Sequence, residues 1–233
     1  MAEEDIRASG IPFSLSFSGS GFLGLYQVGV VQSLLELAPE LLRSACKVYG
    51  TSAGSLIAAA AVYDLKEFFF ASAEEARKSI LGRLSPRCSP LASIRAFLQR
   101  TLPENSHQVA LGRLHVSLTR VVDGQNIMVS EFSSKEELIQ RYVGGGFTGL
   151  QPVPNLEEAM ITVFPFTGEL DICPRDCPDI FFCFQILNSS IQISVENLCR
   201  ISYALLPPRS MVSPPYFFSR GYQDTVLFLY RNG

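Results

Sequence analysis

The first sixty residues of the chain repeat one pattern of apolar and polar positions. Residues 12 to 18, "PFSLSFS", alternate apolar side chains with serines, which is the pattern of a strand. The glycine-rich run from Gly19 to Gly24 follows this alternation. Apolar residues then fall at helical spacing, at Val28, Val31, Leu34 and Leu35. The order predicts a strand, a glycine turn and a helix.

The same unit recurs after a short helix that we predict from Pro39 to Ala45. The stretch from Lys47 to Val62, "KVYGTSAGSLIAAAAV", predicts a short strand, a sharp turn and an alanine-rich helix. Because both glycine turns follow strands, we expect them to converge on one edge of a sheet.

The remaining segments alternate between helical and strand patterns. "SAEEARKSIL" (72–81) and the amphipathic "PLASIRAFLQRTL" (90–102) predict helices, and "KEELIQRY" starts another. "RLHVSLTRV" and "NIMVSEF" flank Asp123-Gly124, which predicts a hairpin, and "MITVFPF" predicts a further strand. "SIQISVENLCRISYALL" (190–206) predicts a helix that ends at Pro207-Pro208. The alternation favours an α/β fold, a three-layer α/β/α sandwich.

Composition and charge limit the classes of function. The chain has 233 residues, 47% of them apolar and 18% charged, with a net charge of −3. These values favour one globular domain, placed at residues 12–233 after a polar tail at 1–11. The interspersed charges give no electrostatic footprint for nucleic acid, so that class of partner is excluded.

The sequence also predicts a reduced, cytoplasmic protein. The opening "MAEEDIRASG" lacks the basic and apolar regions of a signal peptide, and no stretch resembles a membrane-spanning helix. We therefore interpret the six cysteines as free thiols. Cys173 and Cys177 could begin a metal site, but the only two histidines lie far away in sequence, so we predict no metal and no cofactor.

Ser52 is the candidate nucleophile. It lies in Gly50-Thr51-Ser52-Ala53-Gly54, a Gly-x-Ser-x-Gly turn between a predicted strand and helix. Glycines are needed at both ends because the turn is tight and packs beside its own strand and helix. The serine oxygen then stands at a helix N-terminus, where the helix dipole favours developing negative charge.

The loop from Gly19 to Gly24 has two interpretations. Gly-x-Gly-x-x-Gly after a strand matches a dinucleotide fingerprint, which also needs an acidic residue about twenty positions later at the end of the second strand. Glu40 has roughly that spacing but falls in a helical segment. Alternatively, the backbone N–H groups of the loop form an oxyanion hole for an ester carbonyl. Two glycine loops at strand ends favour acyl chemistry.

A nucleophilic serine needs a base, and neither histidine provides an obvious one. His107 falls at a loop or helix start, and His115 alternates with apolar residues on a strand. A Ser-His-Asp triad is therefore poorly supported, which leaves a carboxylate that acts directly on the serine.

Five segments resemble the patatin-like phospholipase domain, in the animal branch that includes adiponutrin and adipose triglyceride lipase. They cover nearly the whole chain: "LSFSGSGFLGLYQVGV", "VYGTSAGSL", "LHVSLTRVVDGQNIMVSEFSSKEELI", "FPFTGELDICPRDCPDI" and "RGYQDTVLFLYRNG". Through "FSGSGFLG" and "ICPRDCP" the chain looks most like the epidermal acylceramide-forming member. The resemblance implies a three-layer fold and a Ser-Asp dyad, with Ser52 as nucleophile and Gly19, Ser20 and Gly21 around the oxyanion. Gly24 closes the glycine-rich motif.

The sequence departs from this family at two places. The dyad aspartate position falls in "RYVGGGFTG", where the chain has Gly144. A strand and loop that family members carry before this motif is missing, since Gln140 runs straight into Arg141. These departures resemble a join between two coding segments. We do not expect Asp123, in the hairpin turn, or Asp171 and Asp224 to replace the missing carboxylate.

Two functional hypotheses follow from the resemblance. The first is a lipid acyl hydrolase, similar to a triacylglycerol lipase or phospholipase, or a transacylase, acting on neutral lipid or phospholipid esters through Ser52. The second is a catalytically impaired or dead relative that binds lipid and regulates. Either would be peripheral on lipid droplets or membranes, with a protein co-activator as a further candidate partner. Aromatic clusters at Phe68–Phe70 and in "PPYFF" (214–218) fit lipid contact and core packing equally well.

Overall fold

A computed structural model describes residues 12–63, 90–119, 123, 125–144, 159–176, 183–186, 189–205 and 214–232. The strands are β1 Phe13–Phe17, β2 Lys47–Thr51, β3 Leu114–Thr119, β4 Asn126–Val129, β5 Ala159–Val163, β6 Cys183–Ile186 and β7 Ser189–Gln192. The helices are α1 Gly24–Leu37, α2 Pro39–Ser44, α3 Ala53–Val62, α4 Pro90–Thr101, α5 Ser106–Ala110, α6 Lys135–Gly144, α7 Val195–Leu205 and α8 Pro214–Arg231. A 3₁₀ turn, Gly21–Leu23, precedes α1.

A five-stranded sheet forms the centre of the fold. Its strand order is β4-β3-β2-β1-β5, and β1 pairs in parallel with both β2 and β5. β3 is parallel to β2, whereas the edge strand β4 is antiparallel to β3, as the predicted hairpin requires. In this register Phe17 lies beside Gly50, so β1 and β2 end at the same edge. The two glycine turns therefore leave the sheet side by side, as the sequence predicts.

Helices cover the sheet, and the apolar strands explain why. Every residue of β1 is buried, including the serines that alternate with its apolar side chains. Leu15 and Phe17 belong to one large core cluster that also contains the alanines of α3 and the apolar residues of α1. The central sheet flanked by helices confirms the predicted three-layer α/β/α fold.

The first and last described helices cross at very short distance. A Cβ built on Gly29 of α1 would lie 2.0 Å from the carbonyl oxygen of Phe218, and one built on Gly221 of α8 would lie 2.0 Å from that of Tyr26. At the same contact the Tyr26 hydroxyl donates to Asp224 Oδ2 at 2.9 Å. The C-terminal helix is thus part of the packed domain.

The predicted helix over 190–206 is wrong in its first residues. Ser189–Gln192 forms β7, which pairs antiparallel with β6, and the helix starts only at Val195. The alternation around Ile191 has the period of a strand, and Ile191 is buried in a second apolar cluster. The helix predicted at 72–81 and the cluster Phe68–Phe70 lie outside the described residues.

Candidate active site

Ser52 occupies a strained turn between β2 and α3. Its φ is +51° and its ψ is −123°, and it is the one residue other than glycine with positive φ in the described part of the chain. A side chain in that region of φ is disfavoured, so the surrounding structure must hold it there. The residue is exposed, and its side chain makes no capping hydrogen bond to α3. The hydroxyl therefore stands free at a helix N-terminus.

The two glycines of the turn are required by close backbone contacts. A Cβ on Gly54 would lie 2.3 Å from the carbonyl oxygen of Ser18, at the end of β1. A Cβ on Gly50 would lie 2.4 Å from the Cα of Ser55. Gly54 is thus the point where α3 touches the start of the other glycine loop, which brings the turn at Ser52 and that loop together.

The loop after β1 takes a tight path into α1. Gly21 has a φ of +51°, and a Cβ there would lie 2.3 Å from the carbonyl oxygen of Ala204 in α7. Glycine is therefore needed at position 21 for both conformation and space. Gly24 differs, because the nearest atom to its Cβ would be the Ser20 hydroxyl at 3.7 Å, which is an ordinary contact.

A buried glutamine holds the loop in place. Gln27, which is fully buried, donates through Nε2 to the carbonyl oxygen of Ser18 at 2.8 Å and accepts from the Ser20 hydroxyl at 3.2 Å. The start of the loop, on both sides of Gly19, is thereby fastened to the first turn of α1. Fixed backbone groups next to a nucleophile are what stabilisation of an oxyanion requires, because they need no rearrangement during the reaction.

The dinucleotide interpretation of this loop lacks its acidic residue. β2 ends at Thr51 and runs directly into Ser52, so no carboxylate stands at the end of the second strand. Glu40 lies in α2, where it forms an exposed ion pair with Arg43. The arrangement at the sheet edge fits acyl chemistry better than ribose binding.

The sheet does not position either histidine at the turn that contains Ser52. His115 lies opposite Tyr49 in the β2–β3 register, and the centroids of the two rings are 4.8 Å apart. That is two positions before Thr51 and Ser117, where β2 ends and its pairing with β3 stops. His107 belongs to the short helix α5.

The three alternative aspartates have structural partners. Asp123 accepts a hydrogen bond from a backbone N–H two residues on, as expected for the hairpin turn. Asp171 Oδ2 accepts from both the backbone N–H and the hydroxyl of Thr162, each at 2.7 Å. Asp224 accepts from the hydroxyl of Tyr26, and burial raises its pKa. Each carboxylate serves a local contact.

Gly144 is the last residue of α6. This helix is longer than the start that the sequence predicts, and it packs against α4, α5 and β3. It passes through Gln140 and Arg141 without a break, and Arg141 pairs with Glu137 one turn earlier at 3.1 Å. The position expected to supply the dyad carboxylate thus has no side chain.

One polar network, which supports the glycine loop through α7, was not predicted from the sequence. Arg200 of α7 forms a two-bonded ion pair with Asp176, at 2.6 and 2.8 Å, and both side chains are almost buried. Thr167 donates to Asp176, and Asn197 makes two hydrogen bonds to the Thr167 backbone. Burial raises the pKa of Asp176, but the hydrogen bonds and charge of Arg200 outweigh it and lower the pKa overall. No local sequence pattern pairs Arg200 with Asp176, because the two residues lie 24 positions apart.

This network holds α7 against the glycine loop. Ala204 of α7 contacts Gly21, and Leu23 packs into the second apolar cluster together with Phe164, Phe166 and Ile191. Gln27 of α1 and helix α7 therefore both hold the loop in place.

Comparison with known proteins decides the family. A model of the family described as patatin-like phospholipase matches residues 15–135, which is just over half of the chain. The chain belongs to the patatin-like phospholipase family. The match to this patatin-like chain begins within β1, covers the glycine loop, the turn at Ser52 and the hairpin, and ends before Gly144.

Three relatives illustrate the range of the family. The patatin-like chain is 46% identical to omega-hydroxyceramide transacylase of Homo sapiens, over 94% of this chain and 46% of the relative. It is 42% identical to patatin-like phospholipase domain-containing protein 2 of Homo sapiens, over 95% and 49%. It is 39% identical to 1-acylglycerol-3-phosphate O-acyltransferase Pnpla3 of Mus musculus, over 95% and 60%. The chain spans about half the length of the curated relatives it matches.

The length of these matches bears on the predicted missing segment. The match to the human transacylase extends over 247 positions, whereas the whole patatin-like chain has 233 residues. The relative therefore carries residues within the matched region that this chain lacks. Their position in the chain stays a prediction.

Two features are absent from the part of the chain that the structure describes. No helix there is both long enough and apolar enough to cross a bilayer. No group of three or more His, Cys, Asp or Glu side chains there is arranged to hold a metal ion.

Proposed function

We propose that this patatin-like protein transfers acyl groups from lipid esters through Ser52. The observation that carries the proposal is the exposed serine at a strained strand-to-helix turn, directly beside a fixed glycine loop. The relatives include a ceramide transacylase and a phospholipase-domain protein, which supports a lipid ester as substrate. The substrate class is a neutral acylglycerol, a similar neutral lipid ester or a phospholipid.

The reaction needs two steps. Ser52 Oγ attacks the ester carbonyl carbon, and backbone N–H groups of Gly19, Ser20 and Gly21 stabilise the oxyanion that forms. The alcohol leaves with a proton and an acyl-serine remains. Water or a second alcohol then attacks the acyl-serine, takes the acyl group and returns a proton to Ser52. Hydrolase and transacylase activities differ only in this acceptor.

Gly144 lowers the expected rate. Without a carboxylate beside Ser52, its proton must pass to solvent, and loss of a general base typically reduces a rate by about 10²- to 10⁴-fold. Residual catalysis comes from the oxyanion loop and from substrate binding. The second candidate function is therefore an impaired or inactive lipid-binding regulator, and Gly144 is the residue that favours it.

We further propose that the protein works in the cytoplasm, peripherally at a lipid droplet or membrane, because its substrate is insoluble in water. A protein co-activator is a candidate partner at that surface. Of the aromatic cluster at 214–218, Phe217 and Phe218 pack against the core, whereas Tyr216 is 56% exposed. Tyr216 is thus the member of that cluster that remains available for lipid contact.

The test compares ester hydrolysis by the parent chain, Ser52→Ala, Gly144→Asp and Gly144→Asn. A soluble short-chain ester, p-nitrophenyl butyrate, reports the chemistry at Ser52 without any need for a lipid surface. We expect slow turnover by the parent, none above background by Ser52→Ala, and a gain of about 10²-fold in Gly144→Asp. Gly144→Asn is the matched control, since it adds a similar side chain without a basic carboxylate.

Three results would change the proposal. Equal rates for the parent and Ser52→Ala would contradict the enzyme function for this chain and favour the regulatory one. Equal gains in Gly144→Asp and Gly144→Asn would show that bulk, and not a base, is what position 144 lacks. No gain in either would assign the lost activity to the missing segment before Arg141.

A further inference from the structure

Helix α7 buries two of its polar side chains and exposes three of its large apolar ones. Asn197 is 1% exposed and the Arg200 side chain 11%, because both belong to the network around Thr167 and Asp176. Val195, Leu198 and Leu205 are 74%, 56% and 56% exposed. A surface helix of a globular protein normally shows the opposite arrangement.

The outward residues form one continuous stripe. Positions three, four and seven apart lie on the same face of a helix, so Val195, Leu198, Ser202 and Leu205 are neighbours. Ile193, just before the helix, is also 48% exposed. Glu196 is the exposed charged residue of this helix, and helical periodicity places it about 100° from Val195, at the flank of the stripe. We call Ile193, Val195, Leu198, Ser202 and Leu205 the outer face of α7.

The sequence around this face is poor in charge. Only three of the forty residues from Ile180 to Ser219 are charged, Glu196, Arg200 and Arg209, whereas charged residues make up 18% of the whole chain. Arg200 is neutralised within the buried ion pair. An apolar face with few charged residues near it in the sequence complements an apolar, uncharged surface better than an anionic one.

The outer face lies on the helix that supports the glycine loop. On the other side of α7, the Ala204 carbonyl meets Gly21, and Ile201 and Ala204 pack with Leu23. Tyr203 connects through Phe217 to the exposed Tyr216, with ring centroids 6.2 and 5.5 Å apart. Tyrosine is favoured at an interface because its ring is apolar and its hydroxyl remains hydrated.

We propose that the outer face of α7 is the surface by which this protein docks on a neutral lipid droplet. The buried polar network fixes the orientation of the helix, so the apolar stripe faces outward before any lipid is met. Docking there brings the glycine loop next to the lipid phase, because one helix contacts both. The proposal depends on the lipid substrate class proposed above, but the docking itself needs no chemistry at Ser52.

The experiment measures flotation with triolein droplets coated with phosphatidylcholine. The test variant is Val195→Ser/Leu198→Gln, and the matched control is Leu37→Gln/Leu111→Gln, which removes apolar side chains that are 52% and 59% exposed elsewhere. All four positions are exposed, so little effect on folding is expected, and circular dichroism checks this. Ser52→Ala is included to separate docking from catalysis.

We expect the test variant to partition about tenfold more weakly onto the droplets than the parent, because two apolar side chains no longer enter the lipid. The control pair and Ser52→Ala should bind like the parent, and 0.5 M salt should leave binding unchanged. Hydrolysis of the soluble ester should be equal in the test variant and the parent. That combination would support docking whether or not the chain is an active enzyme.

Other results would overturn the proposal. Equal binding by the test variant and the parent would exclude the outer face as the docking surface. Equal losses of binding in both double variants would indicate non-specific hydrophobic adsorption. Binding that salt abolishes would point to charged residues instead. A parent dimer that the test variant dissociates, seen by sedimentation in the absence of lipid, would show that a second copy covers this face.

Discussion

Gly54 marks the place where the first turn of α3 touches the end of β1. The Cβ of an alanine there would overlap two backbone carbonyl oxygens, those of Phe17 and Ser18, at 2.4 and 2.3 Å. Backbone atoms at a strand end cannot move aside as a flexible side chain can. Any substitution must therefore separate the turn at Ser52 from the glycine loop.

We predict that Gly54→Ala lowers the free energy of unfolding by about 3 kcal/mol, the upper part of the range for overpacking, and abolishes ester hydrolysis. The matched control is Gly24→Ala, where the nearest atom would be 3.7 Å from the new Cβ. Its stability should change by no more than about 0.5 kcal/mol. Denaturant titration measures both, and similar losses in the two variants would contradict the contact described at Gly54.

Two aspartates, the almost buried Asp176 and the buried Asp224, anchor the helices around the site, and their charges have opposite effects on stability. Asp176 is paired with Arg200, and the balance of burial and pairing lowers its pKa. Asp224 has a raised pKa, because burial outweighs the hydrogen bond from Tyr26 and the charge of Arg220. Folding therefore favours the charged form of the first carboxyl group and the neutral form of the second.

We predict that Asp176→Asn destabilises the protein by about 3 kcal/mol at pH 7, because it leaves the Arg200 charge buried without its partner. A group with a lowered folded pKa stabilises above its ordinary pKa of about 3.9. The difference between parent and variant should thus shrink as the pH falls through the lowered pKa of Asp176. Unfolding titrations from pH 3 to pH 7 measure it.

The control for that experiment is Asp224→Asn, which should show the opposite trend. A raised folded pKa means that stability is lost as the pH rises through it, so ionisation of Asp224 costs the parent stability towards neutral pH. Asparagine can still accept the Tyr26 hydrogen bond. The variant should match the parent in acid and equal or exceed its stability at pH 7. A parallel pH dependence in both variants would contradict the assignment.

At the scale of elements, the correct predictions concern features that depend on residues adjacent in the sequence. The strand, turn and helix around Ser52 follow from local periodicity and glycine placement, and so does the hairpin at Asp123. Residues 190–194 were predicted wrongly because "SIQIS" suits either a helix or a strand, and its strand partner β6 decided between them. The inward direction of Arg200 could not be predicted, since its partner Asp176 lies on a distant loop.

At the scale of the whole molecule, the join at Gln140 and Arg141 fits the fold. The join lies inside α6, and the flanking Leu138, Ile139 and Tyr142 are all buried in the core. Fourteen residues separate the end of α6 from β5. Extended, they could span about 46 Å, whereas β3, against which α6 packs, lies three strand spacings from β5, about 14 Å. The chain can therefore close its sheet without the segment that longer relatives carry.

We predict that the native protein contains this join as written. Cleavage after glutamate should release a peptide from Leu138 to Glu157 that crosses the junction, and mass spectrometry of protein from its natural source would detect it. Insertions between Gln140 and Arg141 would show up as a longer peptide. An aspartate at position 144 within such a peptide would instead return the full dyad to the site.

The positive φ of Ser52 helps to decide between an enzymatic and a regulatory role for the protein. A positive φ combined with this ψ of −123° is sparsely populated and costs a residue with a side chain roughly 1–3 kcal/mol, whereas glycine adopts positive φ freely. Glycine at position 52 would thus give the more stable molecule, and the serine hydroxyl makes no capping bond that offsets the difference. A purely structural role leaves that hydroxyl without a purpose, while a reacting ester gives it one.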